Sequence, residues 1–186
     1  MEVSHRIIDA AREGDSSAFE QIVRECSTPV FRYANNLLGN EHAAEEVVQQ
    51  VFMKLLTGLS TFDPERGNFS AWIYRIARNT AFNSLRDAKP AHIHYESVTP
   101  VASGSIPPDE ELELREGFDA LDRALASLPT QQRSAWVLAE LEGLSIAEIA
   151  KIEGVPEGTV KSRVSRAKQS LRQALREFIG TEHESR

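Results

Sequence analysis

A single cysteine, Cys26, is all that 186 residues contain. No internal disulfide can form, and the usage fits a reducing compartment. No apolar run approaches the roughly 20 residues of a membrane span. The opening MEVSHRIIDAAREGD mixes charges among its apolar positions, unlike a signal peptide. The chain is therefore expected in the cytoplasm, without membrane insertion. Its five histidines have no ligand-like spacing except His92 and His94, which lack a nearby cysteine. No metal or other cofactor is expected. A glycine-rich phosphate loop, a nucleophile motif and paired carboxylates in a pocket-like setting are all missing, so nothing argues for an enzyme or a small-molecule substrate. Missing too is the alternation of apolar and polar residues that would argue for a strand. The expected fold class is all-α.

What is present is helical periodicity, segment after segment. Ile7, Ile8 and Ala11 open a short helix that ends near Gly14. Ser16 or Ser17 is suited to cap a helix burying Phe19, Ile22 and Val23. Pro29 opens another, with Val30, Phe31, Ala34, Leu37 and Leu38 inward and Gly39 as its stop. Glu41–Leu56 is the cleanest amphipathic helix of the first half, with Ala44, Val47, Val48, Val51, Phe52, Leu55 and Leu56 as its stripe. Its outer face carries Glu45, Glu46, Gln49, Gln50, Met53 and Lys54, which suits solvent or a protein partner. After a turn at residues 63–67, Ser70 is placed to cap a helix reaching about Asp87.

Residues 88–108 hold four prolines, a glycine and several serines, with few large apolar side chains; this reads as a linker. Beyond it Leu114, Phe118, Leu121, Leu125 and Leu128 repeat at 4, 3, 4, 3, until Pro129 interrupts. Thr130–Glu142 makes a further helix with Trp136 inward. The expected layout is two small helical domains, residues 1–88 and 110–180, joined by a flexible linker at 89–109.

The stretch Leu144–Phe178 reads as a helix-turn-helix. Ser145 and Glu148 form a capping-box pair, with Ile146, Ile149, Ala150 and Ile152 as the buried stripe. Gly154 can take the left-handed conformation that ends the first helix, and Pro156 suits the first turn of the second. Val160, Val164, Ala167, Leu171, Leu175 and Phe178 fall in one narrow stripe. Lys161, Arg163, Arg166, Lys168, Arg172 and Arg176 lie off it, with no acidic residue between 161 and 176.

The whole chain carries a formal −7, which would repel nucleic acid. The distribution decides otherwise. Residues 61–89 hold five basic and three acidic groups, and residues 161–186 hold seven and three. Within a Debye length of roughly 10 Å the local patch governs phosphate binding. The patch at 61–89 has a distinct makeup. Arg75, Arg78, Asn79, Phe82 and Arg86 share one side of a helix, away from Phe69, Ile73, Ile76 and Thr80. Guanidiniums hold phosphates, a phenyl ring stacks on a base and an amide reads a base edge, so this face suits single-stranded nucleic acid. The bland reading has Phe82 packed on a neighbouring helix and the arginines merely wet. Trp72 and Tyr74 are open to either use, with Trp72 better suited to the core.

EEVVQQVFMKL, FDPERGNFSAWIYRIARNTAFNSLR, the linker, and SLPTQQRSAWVLAELEGLSIAEIAKIEGVPEGTVKSRVSRAKQSLR follow one another in order. Together they resemble the extracytoplasmic-function group of the bacterial sigma-70 family, over roughly Ile7 to Phe178. The resemblance implies a transcription initiation factor whose partners are core RNA polymerase, promoter DNA and an anti-sigma factor. It implies that Glu45, Glu46, Gln49 and Gln50 contact the polymerase clamp, although the family usually has an acidic residue where Gln50 stands. It implies that Trp72, Arg75, Arg78, Asn79, Phe82 and Arg86 capture the −10 element as it melts. Thr159, Lys161, Ser162, Arg163, Ser165 and Arg166 match the exposed start of the −35 recognition helix.

One rival is a stand-alone regulator, since response regulators carry a similar helix-turn-helix. No receiver-like parallel β/α pattern precedes residue 110, and such regulators usually pair on palindromic half-sites.

Overall fold

The computed structural model describes residues 1, 3–87 and 108–184, and every regular element among them is helical. Helix α1 (His5–Arg12) buries Ile8. Helix α2 (Ser16–Leu38) starts one residue earlier than a serine cap would allow. Asp15 is the cap: its carboxylate accepts from the backbone N–H of Ser17 (2.8 Å) and Ala18 (3.2 Å). An ionised acceptor at the positive end of a helix outcompetes a hydroxyl.

Pro29 does not open a new helix; it lies inside α2. An internal proline costs about 3 kcal/mol through a lost hydrogen bond and a ring clash. The continuous stripe of Ile22, Cys26, Val30, Tyr33, Ala34 and Leu37, all fully buried, offsets that cost. Gly39 stops the helix at φ 64°, its N–H bonded to the Asn35 carbonyl at 2.8 Å.

Asn40 caps helix α3 (Glu41–Gly58), which buries Ala44, Val47, Val51 and Leu55. Leu56 departs from expectation. It is 64% exposed, because one step of 100° past Leu55 carries it off the stripe to the side of Met53. Two short 3₁₀ turns, Leu59–Thr61 and Pro64–Arg66, then gather Phe62 against Phe69 and Trp72, with ring centroids 5.1 and 5.4 Å apart. Helix α4 (Phe69–Asp87) follows. Its cap is Asn68, not Ser70: the Asn68 Oδ1 accepts from the Ala71 N–H at 2.7 Å, and the Ser70 hydroxyl only supports it at 3.3 Å.

The linker expected at 89–109 lies outside the described residues as far as 107, as do His92 and His94; residues 108 and 109 begin helix α5 (Pro108–Ser127). Ala124, Leu125 and Leu128 pack against Ala167 and Leu171. Phe118, expected inward, is 39% exposed. Helix α6 (Thr130–Trp136) runs on into a π turn, Val137–Leu141. Helices α7 (Ile146–Glu153) and α8 (Glu157–Glu184) complete the chain.

The two helical groups, α1–α4 and α5–α8, lie against each other. One buried cluster runs from Ile8 through Tyr33 and Ile73 to Leu138, Ile149 and Val160. Helix α4 packs on α7 as well as on α3 and α2.

Cys26 sits in that cluster with no exposure, and burial pushes its thiol up to about 12. At pH 8 a thiol so shifted is about one part in ten thousand thiolate. Iodoacetamide at pH 8 is expected to leave Cys26 unmodified in the native protein and to label it fully in urea. Fast labelling of native protein, followed by mass spectrometry, would contradict the burial.

Candidate nucleic-acid interface

Helix α7 is locked at its start, and the turn from it into α8 is set at both of its ends. The Ser145 Oγ accepts from the Glu148 N–H at 3.3 Å, and the Glu148 carboxylate accepts from the Ser145 N–H at 2.8 Å and hydroxyl at 2.6 Å. The hydroxyl is the main cause holding Glu148 below the usual carboxylate range. Gly154 takes φ 66° and returns its N–H to the Ala150 carbonyl at 2.9 Å. The Pro156 carbonyl receives the N–H groups of Thr159 and Val160, which starts α8 at a defined angle.

Val160, Val164, Ala167 and Leu171 point α8 into the core. That fixes what the outside presents. Lys161, Ser162, Ser165 and Arg166 are exposed along the first turns, and Thr159 is half-buried. Thr159's carbonyl receives the Ser162 hydroxyl at 2.8 Å. Lys161 and Ser165 line a cleft of about 840 Å³ that continues along the helix past Arg172 and Arg176.

Arg163 alone of the six expected duplex contacts turns inward. Its side chain is 16% exposed, with Nη1 on the Glu153 carboxylate at 2.5 Å and Nη2 on the Gln131 side-chain amide Oε1 at 2.6 Å. Glu153, whose side chain is fully shielded, also accepts from the Ser134 hydroxyl at 2.9 Å. The Ser134 hydroxyl in turn meets the Tyr33 hydroxyl at 3.0 Å. Nothing in the charge pattern distinguished Arg163 from its neighbours; its carboxylate partner lies ten residues back, across the turn.

On α4, Arg75, Asn79 and Arg86 are exposed. The Arg78 guanidinium lies 4.2 Å from the Phe82 ring centroid, a cation–π stack, and donates to the Asn79 side-chain Oδ1 at 3.3 Å. Phe82 is half-buried, packed against the core with its ring face toward Arg78. Trp72 does two things. It packs on Phe62 and Phe69, and it lines a small cleft with Arg75. Arg86 is drawn aside by Asp87 at 3.0 Å.

The α3 outer face holds Glu45, Glu46, Gln49 and Gln50 in solvent. Met53, 70% exposed, and Leu56 extend the same face with apolar surface. Leu56 was missed in the sequence; its place three residues after Met53 is the signal that would have found it.

These surfaces present guanidiniums, amides, hydroxyls and one stacked ring. That chemistry binds a polyanion and its bases. Among the described residues, no group of three or more histidine, cysteine or acidic side chains is placed to hold a metal ion, and no helix is long and apolar enough to cross a membrane.

Residues 22–90 match the family model of sigma-70 region 2, and residues 118–171 match that of sigma-70 region 4. The chain is 32% identical to the ECF RNA polymerase sigma factor SigW of Bacillus subtilis over 92% of its own length and 96% of the relative's. It is 31% identical to the ECF RNA polymerase sigma-E factor of Escherichia coli, over 93% and 94%. Among solved structures, CnrH in complex with the cytosolic domain of CnrY superposes with a TM-score of 0.68 at 26% identity, covering 92% of this chain and 96% of that one. RpoE of Bartonella quintana, bound to the anti-sigma factor NepR, gives the same TM-score at 28% identity, over 85% and 96%.

Proposed function

The chain belongs to the sigma-70 family, in its extracytoplasmic-function group, and from that premise we propose how its surfaces divide the work of directing RNA polymerase to promoters. The first domain, residues 1–88, docks on core polymerase through the α3 face of Glu45, Glu46, Gln49 and Gln50. Met53 and Leu56 add the apolar contact that a protein interface needs at its centre. The α4 face of Trp72, Arg75, Arg78, Asn79, Phe82 and Arg86 takes the −10 element. The second domain, residues 110–180, reads the −35 duplex through Thr159, Lys161, Ser162, Ser165 and Arg166, and residues 89–109 link the two.

The observation that carries this reading is the presence of two differently built DNA faces in one chain. The α8 face is narrow, with short polar and basic side chains flanking a helix start, which fits a major groove. The α4 face is an arginine stacked on a half-buried phenyl ring, which fits bases leaving a duplex. The work is binding, not catalysis: splaying a base costs a few kcal/mol, which stacking and phosphate contacts must offset. It takes place in the cytoplasm, where polymerase is. The Bartonella quintana protein is held by an anti-sigma factor; an anti-sigma partner controls this chain in the same way.

The test is in vitro transcription with purified bacterial core polymerase on fragments of the host genome. Discrete start sites are expected only when the protein is added. Phe82→Ala is expected to impair promoter opening, read by permanganate footprinting, with −35 duplex binding kept; Arg166→Ala is expected to do the reverse. Specific duplex binding by the free protein, with no core-dependent transcription, would favour the stand-alone regulator.

A further inference from the structure

Helix α8 stays basic beyond the residues assigned to the −35 duplex. Between Glu157 and Glu177 it carries no acidic residue, and Lys168, Arg172 and Arg176 continue the positive row. Lys168 is held by Glu140 at 2.9 Å. Arg172 and Arg176 are exposed, without an ion pair among the described residues. Between these cations stands a neutral side chain of different chemistry. Gln169 is exposed and lines the same cleft as Lys161, Ser165 and Arg172. Among the described residues no hydrogen bond engages its amide, unlike that of Gln173.

Helical phase decides what each of them faces. The buried residues Val160, Val164, Ala167 and Leu171 define the inward direction of α8. At 100° per residue, Ser162 and Gln169 lie within about 10° of the opposite direction, so both point straight out from the helix. Lys161, Lys168 and Arg172 fall to one side of that line, and Thr159 and Arg166 to the other. A helix with its side chains is about 10–12 Å across, and the major groove is about 12 Å wide. A helix seated there turns its outward line to the base edges and its two flanks to the phosphate rims. Ser162 and Gln169 are seven residues apart. That is about 10.5 Å of helix, or about two to three base pairs at 3.4 Å or more each. In homeodomains the residues of the recognition helix that read the major groove are spread over the same interval.

We propose that Gln169 is a base-reading residue of α8, pairing with the N6 and N7 groups of an adenine two to three base pairs beyond the base that Ser162 faces, while Arg172 holds a phosphate on the rim beside it. The chemistry follows from the side chains. A glutamine amide presents an acceptor and a donor side by side, which matches the N6 donor and N7 acceptor of adenine in the major groove. A guanidinium on the flank of the helix meets phosphates, which hold the protein in register and carry no sequence. Gln169 thus adds sequence information where the cations around it add only affinity. The proposal rests on the reading of α8 as the −35 reader and extends that reading by two turns.

The experiment uses the full chain in complex with core polymerase and a promoter recovered by transcription, randomised over the −35 element. Bound duplexes are sequenced. Wild-type protein is expected to favour adenine at one position by about tenfold. Gln169→Ala should abolish that preference and leave the other positions as they were. Gln169→Glu, an acceptor only, should move the preference to cytosine, whose N4 group donates, although binding weakens on every sequence. Arg172→Ala should weaken all sequences alike and lower the salt slope by about 1. Unchanged urea midpoints establish that these exposed substitutions leave the fold intact. A wild-type motif that both Gln169 variants preserve at every position would overturn the proposal alone. So would a loss with Gln169→Ala that is equal for all sequences, the mark of a phosphate contact. If no promoter is recovered, the full chain by itself selects from random duplex DNA, and the same variants are compared. A motif found in that way, with the shift from adenine to cytosine, would sustain the role of Gln169 while refuting the polymerase reading. A wild-type chain that enriches no duplex sequence would overturn both.

Discussion

Arg163→Ala is expected to cost the protein about 3 kcal/mol of stability, whereas Arg166→Ala, three residues on, should cost less than about 0.5 kcal/mol. The two arginines sit on the same turn of α8 and differ in where they point. Arg166 is in solvent. Arg163 is folded back on Glu153, whose carboxylate has no exposure and keeps only the Ser134 hydroxyl if the guanidinium is removed. Stranding one partner of a buried pair typically costs 3–5 kcal/mol; the low end applies here because Arg163 lies close enough to the surface for water to enter. A neutral amide needs no counter-charge, so Glu153→Gln in the Arg163→Ala background should recover most of the loss. Urea unfolding of the four proteins reads this directly through the midpoints. DNA binding should separate the arginines in the opposite sense. Arg166→Ala should weaken −35 duplex binding and lower the salt slope by about 1, the mark of one lost phosphate contact. An unchanged urea midpoint for Arg163→Ala, with a lost duplex complex, would mean that Arg163 swings out to the groove on binding.

That pair shows where a sequence stops being legible. The helix-turn-helix was readable because each of its signals is local: a capping box spans four residues, and the left-handed Gly154 needs only the break in periodicity around it. The basic face of α8 was readable as a face. Which of its members is spoken for depends on a carboxylate on another helix, and no local rule reports that. The same holds on α4. The spacing of Arg75, Arg78, Asn79, Phe82 and Arg86 placed them on one side of a helix; that Arg78 stacks on Phe82 while Asp87 draws Arg86 away is a matter of rotamers.

The departures in the fold have the same origin. Pro29 and Ser70 are strong local signals, and each was overridden: the first by a buried stripe that continues through it, the second by Asn68 one turn-position better placed to accept the Ala71 N–H. Leu56 followed the composition of its helix but not its phase. The seam between the two helical groups was not visible at all. Its apolar residues serve equally well as the core of separate domains, and its polar members, Arg32, Glu142 and Tyr74, are 110 and 68 residues apart in their contacts.

Arg133→Met should be the most damaging change in the protein, lowering stability by about 4 kcal/mol. Arg133 is 5% exposed, and its guanidinium donates to backbone oxygens: Nη1 to Leu37 at 3.0 Å, Nη2 to Leu128 at 3.3 Å and also to Ala126. Leu37 lies in the last turn of α2, and Ala126 and Leu128 stand at the end of α5, so two sets of helix-terminal carbonyls, which lack partners within their own helices, converge on one cation. The helix dipoles favour positive charge there. Methionine fills a similar space and leaves those oxygens unbonded, at about 1–3 kcal/mol for each that water cannot reach. Lysine keeps the charge but cannot span oxygens on two helices, and an intermediate loss of about 2 kcal/mol is expected for it. Urea midpoints check both. Leu37 belongs to the first helical group and the other acceptors to the second, so part of the penalty exists only while the two are docked. Glu142→Gln weakens the bidentate Arg32–Glu142 pair across the seam; Arg133→Met combined with it should therefore lose less than the sum of the single changes, because the Leu37 carbonyl is better solvated where the seam is loosened. Strict additivity would place the whole effect of Arg133 within the second domain.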